Sequence, residues 1–226
     1  MERIEIGEAT LYCGDCNALR QELSGFDAIV TDPPYGMAYK SGHNSSRKGS
    51  GAAMIRKDGN FAPITGDNGP FDPTPWLEAS EQCILWGANY YSDRLPAGRR
   101  WLVWDKLSGK TPLPSGSDVE LAWTSAKAPS RIFTHLWRGI MRDGEENVVH
   151  GGKSHPNQKP VNLMLWCLSL LKDAQTVLDP YMGTGATGVA AARSGARFIG
   201  VEIDPAYFAI ACERIEAAYA QRRLFA

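Results

Sequence analysis

The sequence lacks most of the features that would take a chain out of the ordinary globular class. It has only five cysteines, Cys13, Cys16, Cys83, Cys167 and Cys212, in 226 residues. An odd, scattered set is no disulfide framework and points to a reducing compartment, the cytoplasm. No apolar run approaches the roughly 18–20 residues a membrane span needs, so no membrane partner is expected. The opening stretch MERIEIGEATLYCGD carries charges where an exported chain needs apolar residues, so export is not expected. A charge excess is missing as well. A net charge of −1 is not the balance of a sequence-independent nucleic-acid binder, so a polyanionic partner would have to meet a basic surface confined to one face. The four histidines, His43, His135, His150 and His155, show no ligand spacing and sit in loop-like surroundings. Cys13 and Cys16 form a C-x-x-C without a second pair, which reads as a strand end followed by a helix start. No internal repeat is visible.

What is present suits one domain, or one domain with a large insertion, and has a hydrophobic fraction of 43%. Residues 9–13 and 27–31 read as short buried strands with a helix near 16–23 between them, the unit of a parallel sheet. Residues 37–75 are rich in Gly, Ser, Asn and Pro, as inserted functional loops are. Residues 76–83 look helical and 84–89 look like a strand. WLVWDK at 101–106 and VELAWTS at 119–125 suggest an antiparallel hairpin. Residues 126–154 form a second irregular stretch, with Arg131, Arg138 and Arg142 set among Phe133 and Trp137. Residues 160–172 begin with Pro and end in Lys, as a helix does. TVLD, a glycine loop, GVAAARSG, ARFIGVEID and a helix from 205 to about 222 complete a strand–helix–strand–helix series.

Two motifs carry chemistry. Residues 178–188 run a strand into Gly183, Gly185 and Gly188, which open a helix. Glycines let the backbone approach a ligand, and the helix N-terminus offers free N–H groups. Glu202 ends the next strand, where a carboxylate can take both hydroxyls of a ribose. The glycines formally satisfy G-x-G-x-x-G, so a nicotinamide oxidoreductase stands as an alternative. Two observations oppose it. Little chain follows Glu202, and Asp179, just before the loop, would repel a pyrophosphate while suiting an ammonium. The second motif is Asp32-Pro33-Pro34-Tyr35 after the strand DAIVT. Prolines fix the backbone and donate no hydrogen bond, which leaves carbonyls beside a carboxylate. Such acceptors suit an amino group held by both its N–H bonds. An aromatic amine is a poor nucleophile because its lone pair is delocalised into the ring. Acceptors that draw the hydrogens out of the ring plane would free that pair. Tyr35 can stack on the base, and a base inside a duplex must be flipped out to reach such a pocket.

With these residues in place, the sequence resembles the DNA amino-methyltransferases of permuted motif order, the β class. Asp32–Tyr35 matches the catalytic motif, in the form that favours adenine N6 over cytosine N4. His155-Pro156-Asn157-Gln158-Lys159-Pro160 is similar to the H-P-x-Q-K-P block, Leu178–Gly188 to the cofactor loop, and Gly14-Asp15-Cys16 to an acidic turn that meets the cofactor adenine. The resemblance implies an α/β, Rossmann-like fold in a single domain over 1–226. It implies a seven-stranded, mostly parallel sheet with helices on both faces and an antiparallel hairpin, circularly permuted. It implies S-adenosylmethionine as cofactor, held by Asp15, Cys16, Asp32, His155, Asn157, Gln158, Lys159, Asp179, Tyr181, Gly183, Thr184, Gly185, Thr187, Glu202 and Ile203. His155, Gln158 and Lys159 would close the pocket, and Asp32, Pro33, Pro34 and Tyr35 would hold the target base for direct in-line transfer, with no metal. Two departures are Tyr181 in place of a common phenylalanine and Ala186 in place of a frequent hydroxyl residue.

The implied partner is double-stranded DNA. Lys40, Arg47, Lys48, Arg56 and Lys57, in a stretch free of acidic residues, read as a basic loop for phosphates. Arg131, Arg138 and Arg142 read as candidates for base readout. Target recognition would fall to 37–75 and 126–154. The resemblance leaves open a homodimer and a cognate restriction endonuclease in a bacterial, archaeal or phage-encoded system. Cytosine N4, RNA adenine and a silent DNA-binding module remain the alternatives to adenine N6.

Overall fold

The computed structural model describes residues 2–36, 66–67, 69–112, 117–138, 141–142 and 158–224. The strands are β1 (Glu2–Ile6), β2 (Ala9–Cys13), β3 (Ala28–Thr31), β4 (Gln82–Trp86), β5 (Arg100–Asp105), β6 (Val119–Thr124), β7 (Arg131–Thr134), β8 (Trp137–Arg138), β9 (Met141–Arg142), β10 (Thr176–Asp179) and β11 (Arg197–Glu202). The α-helices are α1 (Cys16–Leu19), α2 (Thr74–Ala79), α3 (Val161–Ser169), α4 (Ala186–Ser194) and α5 (Pro205–Leu224). Two 3-10 turns, Ala88–Tyr90 and Ser92–Arg94, follow β4.

One nine-stranded sheet runs in the order β1-β2-β11-β10-β3-β4-β6-β5-β7. The seven expected strands are its inner seven, five of them parallel neighbours from β2 to β4. The expected hairpin is β5–β6, in register from Arg100↔Thr124 to Asp105↔Val119. The two edge strands went unforeseen. β1 is charged and half-exposed, as edge strands tend to be, and pairs antiparallel with β2. β7 lies inside the stretch read as irregular and runs parallel to β5. Three boundaries shift. The first helix ends at Leu19. The second spans 74–79, and β4 starts at Gln82, two residues earlier than periodicity suggests.

Alternating residues in the central strands face two cores. Val30, Ile84, Leu102, Ala122 and Val177 pack under α3, α4 and α5. Ile29, Leu85, Trp123, Leu178 and Val201 pack on the other side with Leu19 and Trp76. Burial on both faces explains why these strands read as continuous apolar runs rather than as alternating ones. The C-terminal ends of β2, β11, β10, β3, β4 and β5 and the start of β6 therefore share one edge of the sheet. Chain connections diverge between β10 and β3, and that switch point is the usual ligand position in an open α/β sheet. Among the described residues no helix is long and apolar enough to cross a membrane.

Candidate active site

β10 ends in Asp179 and its parallel neighbour β3 ends just before Asp32. Asp179 is buried. Thr31 Oγ1 donates to its Oδ1 at 2.6 Å, Thr187 Oγ1 donates to its Oδ2 at 2.6 Å, and the Tyr181 N–H donates to Oδ1 at 3.1 Å. Burial pushes this carboxyl up to about 6, against the pull of those hydrogen bonds, with the nearby Asp32 charge adding to the rise. A carboxyl whose folded value lies above its ordinary one costs stability once ionised. That cost is absent below the ordinary value near 4 and complete above about 6. The span from 3.8 to about 6 corresponds to roughly 2–3 kcal/mol. Asp179→Asn is therefore expected to melt higher than the parent protein at pH 8, with the gain shrinking toward pH 4. Thermal unfolding across that range checks it.

The loop after Asp179 is shaped by glycine. Gly185 takes φ +79° to open α4. Gly188 lies so close to α5 that a Cβ there would stand 2.4 Å from Ile215 Cδ1. Glu202 spans the loop, with Oε2 accepting from the Gly183 N–H at 2.9 Å and Oε1 from the Asp204 N–H at 2.8 Å. Burial raises its carboxyl to about 6. Asp15 caps α1 by accepting from the Asn17 N–H at 2.9 Å, and the Gly14 N–H bonds the Glu202 carbonyl at 2.9 Å. Asp15, Cys16 and Glu202 thus belong to adjoining strand ends. Cys13 ends β2 and Cys16 opens α1, both as free thiols. Thr184 is tied down by Arg214, whose Nη1 donates to its carbonyl at 2.6 Å and to its Oγ1 at 3.0 Å. The Tyr181 hydroxyl accepts from Trp76 Nε1 at 3.3 Å.

Beside Asp179, the Asp32 carboxylate accepts from the Tyr35 hydroxyl and from Lys159 Nζ. Lys159 also reaches Glu120 Oε2 at 3.1 Å, and Lys106 Nζ reaches Glu120 Oε1 at 3.2 Å. Lys159 is buried, and its two carboxylate partners hold its ammonium above the ordinary lysine value despite burial. The Tyr35 ring stacks on Tyr90 at 5.0 Å between centroids. Burial and the adjacent Asp32 charge hold the Tyr35 phenol well above its usual range, so it is a donor at any physiological pH.

The structure thus brings Asp32, Pro33, Pro34, Tyr35, Lys159, Asp179, Tyr181, Gly183, Thr184, Gly185, Thr187 and Glu202 to one edge, with Asp15, Cys16 and Ile203 beside them. Lys159 points to Asp32 and Glu120, a more specific place than pocket closure. His155 and Asn157 lie outside the described residues, as do Lys40, Arg47, Lys48, Arg56 and Lys57. Gln158 is described and partly buried. Arg131 pairs with Leu102 at the start of β7, away from the edge that carries Asp32. Arg138 and Arg142 lie in β8 and β9, placed as backbone only. His135 lies in the connection between β7 and β8, as its loop-like surroundings suggest, but it is buried, with Phe133 at 5.7 Å and Trp137 at 6.1 Å between ring centroids. Sequence reasoning missed Glu120, Lys106, Thr31, Gly87 and Tyr90. The one usable signal was a lone carboxylate in the aromatic strand VELAWT.

The profile of the family described as DNA methylase (N6_N4_Mtase) matches residues 99–213, half of the chain. This protein belongs to the DNA methylase family. The match takes in Lys159, the glycine loop and Glu202. Among curated relatives of this DNA methylase, the Type II methyltransferase M2.DpnII of Streptococcus pneumoniae is 45% identical over 83 residues, 36% of this chain and 30% of its own. M2.LlaDCHI of Lactococcus lactis subsp. cremoris is 37% identical over 81 residues, 35% of this chain and 29% of its own. The matched stretch is thus under a third of either relative. Two solved structures share the DNA methylase's fold. The M1.HpyAVI–SAM complex superposes with a TM-score of 0.53 at 20% identity, over 91% of this chain and 99% of its own. The cytosine-N4-specific PvuII DNA methyltransferase gives 0.58 at 15% identity, over 96% of this chain and 93% of its own.

Proposed function

We propose that this protein transfers a methyl group from S-adenosylmethionine to the N6 amino group of an adenine flipped out of double-stranded DNA. The observation that carries the reading is the pairing of two acidic centres across neighbouring strands. Asp179 and Asp32 stand at adjoining ends, and Thr31, the residue before Asp32, is bonded to Asp179 at 2.6 Å. One centre suits a cationic amino acid, and the other suits an amine.

The residues present fit the cofactor. Asp179 offers a carboxylate to the methionine ammonium. The two Glu202 oxygens each accept one backbone N–H and keep lone pairs for two ribose hydroxyls. Ile203 is 43% exposed beside Glu202, an apolar surface for adenine. A Cβ built on Gly183 would meet no atom within 4 Å, so the loop leaves room above it. When bound, S-adenosylmethionine supplies a sulfonium methyl group and leaves as S-adenosylhomocysteine.

The chain's own residues do the rest. Asp32 and a proline carbonyl accept the two amine N–H bonds and turn the nitrogen lone pair toward the methyl carbon. With the methyl group held in line with that lone pair, the N–C bond would form as the C–S bond breaks, its electron pair staying on sulfur. The surplus proton of the amine leaves through Asp32 to solvent. Tyr35 stacks on the base. Alignment rather than covalent catalysis supplies the rate. Arg131, Arg138 and Arg142 would contact bases, because a guanidinium can make bidentate bonds to guanine. Lys40, Arg47, Lys48, Arg56 and Lys57 would meet phosphates, and 37–75 and 126–154 would supply target recognition. The protein would work in the cytoplasm, in a bacterial, archaeal or phage-encoded system.

Cofactor affinity should depend on pH. Burial pushes the Asp179 and Glu202 carboxyls up to about 6, and it is their ionised forms that would hold the cofactor. Affinity is therefore expected to fall as pH drops from 7.5 to 5.5, by about tenfold per pH unit below 6 for each fully coupled group. Calorimetry at several pH values reads this directly. The function itself is tested by single-molecule sequencing of DNA from cells with and without the protein. The expected result is N6-methyladenine in one short motif. N4-methylcytosine in its place would move the target, and unmodified DNA would overturn the proposal.

A further inference from the structure

We infer that Glu120, backed by Lys106, is a positioning residue that shares the Lys159 ammonium with Asp32 and so sets how strongly Asp32 accepts a target amine. The inference rests on the reading of Asp32 given above. It starts from a part-buried chain of contacts running from the Tyr35 hydroxyl through Asp32, Lys159 and Glu120 to Lys106. Side-chain exposure along the ion pairs is 19% for Asp32, 7% for Lys159, 30% for Glu120 and 17% for Lys106. Two carboxylates and two ammoniums leave the group neutral, as burial demands.

The geometry explains why two carboxylates are needed. Lys159 is held just before Pro160, the residue that precedes α3, so its backbone is fixed. Its ammonium has three donors and can serve both acids at once. An ammonium held by Asp32 alone would compete with the base amine for the same oxygens. Glu120 takes part of that ammonium and leaves acceptor capacity on Asp32. Lys106 limits how far Glu120 can draw Lys159 away. Glu120 is two strands from Asp32 in the sheet, at the start of β6, and its ion pairs are with Lys159 and Lys106.

The electrostatics agree in sign. Burial raises the Asp32 carboxyl, the Lys159 charge lowers it, and Glu120 raises it. Tyr35 donates to it, and Tyr91, after β4, and Asp179, at the end of β10, face it. Neutralising Glu120 removes a raising influence and gives Lys159 wholly to Asp32. Neutralising Lys106 leaves Glu120 stronger, draws Lys159 away and raises Asp32.

The test compares Glu120→Gln and Lys106→Met in the full-length protein, as rate against pH with saturating S-adenosylmethionine and DNA. Glu120→Gln is expected to move the acid limb of kcat down by about one pH unit and to lower its plateau about tenfold. Lys106→Met is expected to move that limb up. Both KM values should stay within about threefold, because neither residue binds the cofactor. Acid limbs that stay in place, or that move the same way in both variants, would overturn the inference while leaving the function intact. If Glu120→Gln does not fold, the upward shift in Lys106→Met still decides the matter. A parent protein that transfers no methyl group would instead overturn the reading of Asp32 itself.

Discussion

Replacing Asp32 with alanine is expected to lower methyl transfer to DNA about a thousandfold while cofactor binding stays close to that of the parent protein. The expectation follows from where the side chain sits. Asp32 lies beyond the last residue of β3, and its oxygens face Tyr35 and Lys159 rather than the glycine loop. Removing it takes away the acceptor that orients the amine, but Asp179, Glu202 and their hydrogen bonds remain. The fold should survive as well. Breaking a buried ion pair usually costs several kcal/mol because one charge is orphaned. Here Lys159 keeps Glu120 at 3.1 Å, so its ammonium still has a counter-charge. Asp32→Asn should fall between the parent and the alanine variant, since an amide oxygen accepts one N–H but carries no charge. Single-turnover kinetics with labelled cofactor measure the loss, and calorimetry measures binding. A variant that lost both together would point to a cofactor role for Asp32 instead.

Gly87→Ala is expected to have the second-largest effect. Gly87 follows β4 with φ +68°, and its N–H is fixed to the Leu121 carbonyl at 2.9 Å. A Cβ there would lie 1.9 Å from Tyr35 Cε1 and 2.2 Å from Cζ. Those are overlaps, not contacts, so the ring must move. Tyr35 cannot move without losing either its bond to Asp32 or its stack on Tyr90. A displacement of about 1 Å at a positioning group can cost on the order of a hundredfold in rate. The left-handed backbone adds about 1–2 kcal/mol for any residue with a Cβ. The expected result is a drop of about a hundredfold in kcat with modest loss of stability and unchanged cofactor affinity. A kcat within about threefold of the parent would mean that the Tyr35 position is immaterial.

Much of this was legible in the sequence because the informative residues are local. The glycines of 183–188 and the prolines of 33–34 announce turns at strand ends by their own backbone chemistry. The apolar runs TVLD, DAIVT and ARFIGVE announce strands buried on two faces. The order of those blocks sets the permuted connectivity, and the observed strand order agrees. Edge strands were harder to see. Glu2–Ile6 is held by its partner β2 rather than by any apolar face of its own, and Arg131–Thr134 has exposed residues that mimic a loop. The missing parts of the site share one property: they depend on contacts between residues far apart in the chain. Lys159 and Asp32 are separated by 127 positions, and Thr31 and Asp179 by 148. Glu120 stands in a strand whose pattern explains itself as half of a hairpin. Nothing short of the sheet order shows that its carboxylate and the Lys159 ammonium meet. The role of Gly87 is likewise invisible, because the ring that requires it belongs to Tyr35.

The account stands on an amine acceptor and a cofactor cradle lying side by side at the ends of β3 and β10. The most direct measurement incubates purified protein with duplex DNA and isotope-labelled S-adenosylmethionine, then digests the DNA to nucleosides for mass spectrometry. Labelled N6-methyldeoxyadenosine is the expected product, together with its absence in Asp32→Ala. Label on a ring carbon, or undiminished labelling in that variant, would contradict the account.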